Sequence, residues 1–295
     1  METTDQQARR RRRWRVRAPV LACSCSIAAL AFFPLGADGS VRPASAPTSA
    51  SAAPALRAAL TQARRSGSGE AISAALTQAL DQTSRAPGDT GAWVVLAEGH
   101  LERVLHRVSL RGLRVGTPFF EELPPEVQHD LDAGMRAVAA ARERGADSAT
   151  LFRIESLLLS MRVTSVFTAL RYNGAITRAL AAASERDEGA ADVQQALGLR
   201  KLLSPKLFGH EPEAALRHLE EAARDGSDER SCVYAAMACH LLGRSAEALA
   251  WLERAVEANR ANVFAQAALA RLRAGEGDPF GRDVTPAEAA ALSAR

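Results

Sequence analysis

Aromatic residues are scarce. They make up 5% of the 295-residue chain, with three Trp and two Tyr among them. A core short of large rings must gain its cohesion from many small, close contacts. Runs of β-branched residues alternating with polar ones are also scarce, which removes the usual support for strands. Cysteine is limited to four positions. Cys23 and Cys25 fall near the N-terminus, while Cys232 and Cys239 stand seven apart on one predicted helix. That spacing puts them on the same face but about 10 Å apart along the axis, too far for a disulfide. They read as small core residues. The chain has no G-x-S-x-G elbow, phosphate-binding loop, dinucleotide-binding glycine fingerprint or cysteine pair at metal spacing, so sequence offers no support for those chemistries.

The histidines are the remaining candidates for a metal site, in "FGHEPEAALRHLEEAA" at 208–223. A helical zinc site of the H-E-x-x-H kind needs histidines four apart. His210 and His218 are eight apart, and Pro212 starts a helix between them rather than lying inside one. His210, Glu211 and His218 therefore read as the edge of a packing unit. His100 and His106 are six apart, a spacing that does not share a helical face. Charge clusters such as "ERDEG" and "RDGSDER" carry both signs and read as solvated turns. No catalytic residue, metal ligand or cofactor is assigned.

What the chain does have is alanine at helical spacing. Hydrophobic residues reach 47%. Ala215, Leu219 and Ala222 form a stripe at i, i+4 and i+7, and Ala248, Leu252 and Ala255 repeat it 33 residues later. Gly243 ends one predicted helix, and Ser245 or Ala246 opens the next. Small residues at 215, 222, 248 and 255 allow close helix approach, with leucines filling the gaps.

Residues 229–260 resemble a tetratricopeptide repeat: Ala236, Gly243, Ala248, Leu252 and Ala255 match the pattern, while Cys239 replaces its aromatic and Arg260 its proline. The unit at 193–223 resembles a second repeat, with "LSPKLFGHE" inserted between its helices. The resemblance implies an all-α fold, a right-handed solenoid of antiparallel helix pairs. It also implies a concave groove for a protein or peptide, lined in this register by Arg230, Val233, Met237, His240 and Leu241. The same residues could instead pack against the next helix or a capping segment. Members that clamp a C-terminal carboxylate use Lys and Asn where this chain has Val233 and Met237, so that mode is not implied.

Charge is placed unevenly. Seven arginines fall between positions 9 and 17, followed by an apolar run from Val20 to Phe33. This pattern predicts a secretory signal peptide or N-terminal membrane anchor over 1–37. A run of 14 residues is short against the roughly 20 needed to span a bilayer. A lipidated Cys23 and a basic nucleic-acid-binding arm are the other readings. Residues 1–37 hold seven basic and two acidic groups, so without them the net charge falls from +3 to −2. Nucleic acid is therefore not an expected partner.

Residues 38–54 are Pro/Ser/Ala-rich and predict a disordered linker. Helices are expected over 55–65, 70–84, 91–110, from Pro125 to about 144, over 149–171, and again after Gly174. The helical repeat domain runs over 55–274, and a turn and short helix capped by Thr285 close it over 275–295. "PFF" at 118–120 is either a docking knob or a cover for a core edge. Together these features predict an exported, non-catalytic scaffold, periplasmic or membrane-tethered, that binds a protein or peptide. The alternatives are a subunit assisting a solute-binding protein, since "PKLFGHEPEAALRHLEEA" is similar to tetratricopeptide-like partners of such proteins, and a hydrolase on a helical scaffold.

Overall fold

The structure, a computed structural model, describes residues 51–225 and 228–293. The expected export segment and the linker as far as residue 50 lie outside the described residues. Those described form twelve α-helices and no strand, so the fold is all-α. In order they are α1 (Ala53–Arg65), α2 (Gly69–Arg85), α3 (Thr90–Arg107), α4 (Pro125–Glu143), α5 (Ala149–Met161) and α6 (Val166–Arg186). Then follow α7 (Ala191–Leu203), α8 (Pro212–Ala222), α9 (Glu229–Leu241), α10 (Ser245–Ala258), α11 (Val263–Arg273) and α12 (Pro286–Ser293).

Local chemistry starts most of these helices. Ser68, Asp89, Ser148, Asp228 and Asn262 each accept a bond from a first-turn backbone N–H, and proline occupies the first turn of α1, α4 and α8. At α12 the Glu288 N–H donates to Thr285 Oγ1 at 3.2 Å, and the Thr285 N–H donates to the Glu288 carboxylate at 3.4 Å, a reciprocal cap. Gly243 takes a positive φ of 74° between α9 and α10, which a side chain would oppose.

One boundary differs from the sequence expectation. The helix expected over 149–171 stops at Met161, and α6 begins at Val166 and runs straight through Gly174. Ser165 and Thr168 make a capping box that starts α6 there. At Gly174 an added Cβ would meet only the end of Arg178, so nothing in the packing requires a break.

Each even-numbered helix packs on the odd one before it and on the odd one after it, and α3, α5, α7 and α9 also touch in succession. The apolar interior forms two large clusters. One is built from α1–α5 with parts of α6 and α7; the other is the alanine-rich interior of α7–α11 with Leu113, Phe280 and Val284. Ala215, Leu219, Ala222, Ala248, Leu252 and Ala255 are all 0–1% exposed. Close approach is extreme at Gly198, where an added Cβ would lie 2.6 Å from Leu219 Cγ.

The end of the chain returns to an early loop. The Leu113 N–H donates to the Phe280 carbonyl at 2.8 Å and the Val284 N–H to the Leu110 carbonyl at 2.7 Å. Gly112 is needed at this crossing, because a Cβ there would sit 2.4 Å from the Gly281 carbonyl oxygen. Phe120 is buried, its ring under the Arg111 guanidinium, so "PFF" covers a core edge.

Candidate functional site

The five residues expected to line a groove lie on α9, and most of them are covered. Val233 and Met237 are 4% and 3% exposed. Arg230 reaches across to α3 and donates to both carboxylate oxygens of Glu102, at 2.9 and 2.6 Å. His240 donates to the Gly277 carbonyl at 3.1 Å, and its ring tilts against Phe280. Only Leu241, 42% exposed, faces solvent openly. Of the two readings open to them, Arg230, Val233, Met237 and His240 take the second: they pack or bond within the chain. The C-terminal segment meets His240, and Glu102 of α3 meets Arg230.

Where α1 and α3 meet α9, charge replaces apolar packing. Arg64 lies 3.4 Å from Asp228 and 3.5 Å from Glu229. Arg153 of α5 donates to Glu98 at 2.6 Å and stands 2.9 Å from Asp192. Burial alone would raise the Glu102 pKa, but Arg230, with Arg64 and Arg153, holds it below the ordinary carboxylate value. Burial likewise opposes the charge on Arg230, and Glu102 raises its pKa regardless. Two cavities adjoin this seam and share Arg64, Leu105 and Arg230. One, of about 220 Å³, is walled by the ion pairs; the other, of about 260 Å³, is mostly apolar, with Ile72, Val233, Val263 and Phe264 in its wall.

A second buried hub joins α3 to α4. Asp130 is 0% exposed and accepts from His100 Nδ1 and from Arg103 Nε, both at 3.0 Å, with Arg107 3.8 Å away. A histidine oriented by a carboxylate is also the supporting half of a hydrolase triad, but no hydroxyl or thiol bonds His100 among the described residues. The hub works as a clamp. His100, Arg103 and Arg107 stand at i, i+3 and i+7, one helical face, and that spacing was the available signal.

His210 donates to the Leu202 carbonyl at 2.9 Å, fastening the loop before α8 to α7, and His218 of α8 donates to the Gln194 amide oxygen of α7 at 2.7 Å. Burial is the main cause that pushes the His218 pKa down, favouring the neutral ring. Glu211 lies 3.2 Å from Lys201. Cys232 and Cys239 are both buried, and burial raises each thiol pKa to about 11.

Sequence periodicity did not single out the most exposed apolar surface. Val166, Phe167 and Leu170, in the first two turns of α6, are 66%, 84% and 59% exposed. Leu207, in the short turn before α8, is 84% exposed. The available signal was an apolar excess at the start of α6 that the Ile176, Leu180, Ala183 stripe does not need. Compared with models of known families and with curated proteins, the chain finds no match.

Proposed function

We propose that the protein is an exported, non-catalytic scaffold, a right-handed solenoid of antiparallel, tetratricopeptide-like helix pairs that holds a protein or peptide partner in the cell envelope. The observation that carries the reading is the exposed Val166–Phe167–Leu170 face of α6. Large apolar side chains clustered in water mark interaction surfaces, whereas single ones do not. The relay of contacts from each helix to the next, with odd-numbered helices also touching in succession, supports the solenoid. The basic and apolar run at 9–33 supports export. The partner surface moves from α9 to α6, because the α9 face is taken by the chain itself.

The test is photo-crosslinking from α6 in the native envelope with the full chain. Phe167→Glu should abolish the crosslinked species and leave helical content and melting midpoint unchanged, since Phe167 is 84% exposed. A charge at Met237, 3% exposed, would instead test folding. Unchanged crosslinking in the Phe167 variant would remove α6 as the docking face.

A further inference from the structure

We propose that the outer face of α6 is complementary to an acidic amphipathic helix of a protein partner, whose apolar stripe meets Val166, Phe167 and Leu170 and whose carboxylates meet Arg171 and Arg178. The inference rests on α6 as the docking face and adds the chemistry of what docks there. The first support is positive charge without a counter-charge. From Val166 to Ser184 the helix carries no acidic residue, and its first is Glu185. Arg171 and Arg178 are exposed, and neither has a carboxylate partner among the described residues. The Arg171 guanidinium lies 5.4 Å from the centroid of the Tyr172 ring, a neutral neighbour. Arg200 of α7 reaches the same helix, donating to Asn173 Oδ1 at 2.7 Å and to Thr177 Oγ1 at 3.0 Å. Burial lowers its pKa, and no carboxylate offsets the effect. Cations gathered in this way attract a partner of opposite sign.

The second support is the geometry of the face. At about 100° per residue, Val166 and Leu170 stand on one side of Gly174, and Phe167, Arg178 and Arg171 on the other. Gly174 is exposed in mid-helix, where glycine weakens the helix, and an added Cβ would meet only the end of Arg178. No packing inside the chain calls for a glycine there. A second helix crossing at that point does, because a missing side chain lets two backbones approach. An apolar strip with cations along one edge matches a helix whose apolar stripe has Asp or Glu beside it. The same charges disfavour other occupants. A second copy would set Arg171 and Arg178 against an equally basic face. The chain's own apolar run at 20–33 follows seven arginines. A lipid surface holds a helix in proportion to its buried apolar area, and three side chains in two turns supply little.

The experiment titrates the full chain with a synthetic amphipathic helix of about 18 residues, its Leu stripe flanked by Glu, and with the same peptide carrying Lys for Glu. Binding is followed by fluorescence anisotropy, with phosphatidylglycerol vesicles run alongside. The Glu peptide should bind saturably and more weakly as salt rises, with the Lys peptide at least about tenfold weaker. Arg171→Glu combined with Arg178→Glu should reverse that preference and keep the melting midpoint, since both side chains are exposed. Equal binding of the two peptides, no saturable binding, or binding to the vesicles in preference to the Glu peptide would overturn the proposal. So would photo-crosslinking from α6 in the envelope that survives the double charge reversal, a result that would still leave α6 standing as the docking face.

Discussion

The α7–α10 hairpins and the seam between α1, α3 and α9 are held together by opposite means. In the hairpins alanine and glycine let backbones close up, and larger side chains such as Leu219, Leu252 and Met237 fill the gaps between them. At the seam the contacts are buried ions drawn from helices 128 or more residues apart in sequence, Arg230 to Glu102 and Arg64 to Asp228. Apolar contacts tolerate small errors of alignment, because each contributes little and none is left unsatisfied if shifted. A buried ion pair does not, since removing one partner strands the other. The difference teaches that nearest-neighbour stacking builds the array, while a few charges decide how its distant parts meet.

The strongest way to break that comparison is at the seam. Arg230→Ala leaves Glu102 buried without its partner and should lower unfolding stability by about 3 kcal/mol, the low end for such losses, because the Arg230 side chain keeps 22% of its exposure. Replacing both residues together, Glu102→Leu with Arg230→Met, should recover most of the loss. A denaturant titration of the two variants checks both statements. A single variant as stable as the parent would show that the seam is ornamental.

Next in size is the hairpin itself. Ala248 is 0% exposed, so Ala248→Leu should cost roughly 1–3 kcal/mol through overpacking. Unlike the seam pair, no single compensating change is expected to restore it, because Ala248 of α10 is fully enclosed within the hairpin cluster. An unaltered melting curve would contradict the register of the stripe.

These two predictions were not equally legible in the sequence. The stripe at 215, 219, 222 and its repeat at 248, 252, 255 could be read because one helix contacts its neighbour with a fixed period. Glu211/Pro212 and Gly243 as boundaries followed from proline and glycine stereochemistry. The seam could not be read, because no period relates Glu102 to Arg230 or Gly112 to Gly281. The choice between an open α9 face and internal packing could not be read for the same reason: the partners of Arg230 and His240, Glu102 and the Gly277 carbonyl, bear no periodic relation to α9. The α5–α6 boundary was available in Ser165 and Thr168 and was masked by the more obvious Gly174.

Acid should sharpen the contrast further. Glu102 and Asp130 both have pKa values held below their ordinary 4.5 and 3.8, against a burial effect that alone would raise them. A lowered folded-state pKa contributes stability that is fully present above the unfolded value and is lost as pH falls through the folded one. Stability should therefore hold from neutral pH down to about 4.5 and decline below it, with the Glu102→Leu, Arg230→Met double variant declining less steeply. A double variant with the parent's acid profile would place the acid sensitivity elsewhere.

The finest probe is thiol chemistry on α9. Cys232 and Cys239 lie among the apolar residues of the hairpin cluster, about a third of a turn round α9 from Glu229, Arg230 and Val233, which line the seam. Both are fully buried, and their pKa of about 11 keeps the reactive thiolate rare near pH 8. Alkylation of the native protein should be slow at both. Local opening can release one face of a helix without the other. Arg230→Ala should thus leave labelling close to the parent rate under native conditions, whereas Ala248→Leu should speed it at both cysteines. Equal acceleration in the two variants would mean that seam and hairpins open as one cooperative unit, and that the ionic contacts govern the stability of the whole helical array.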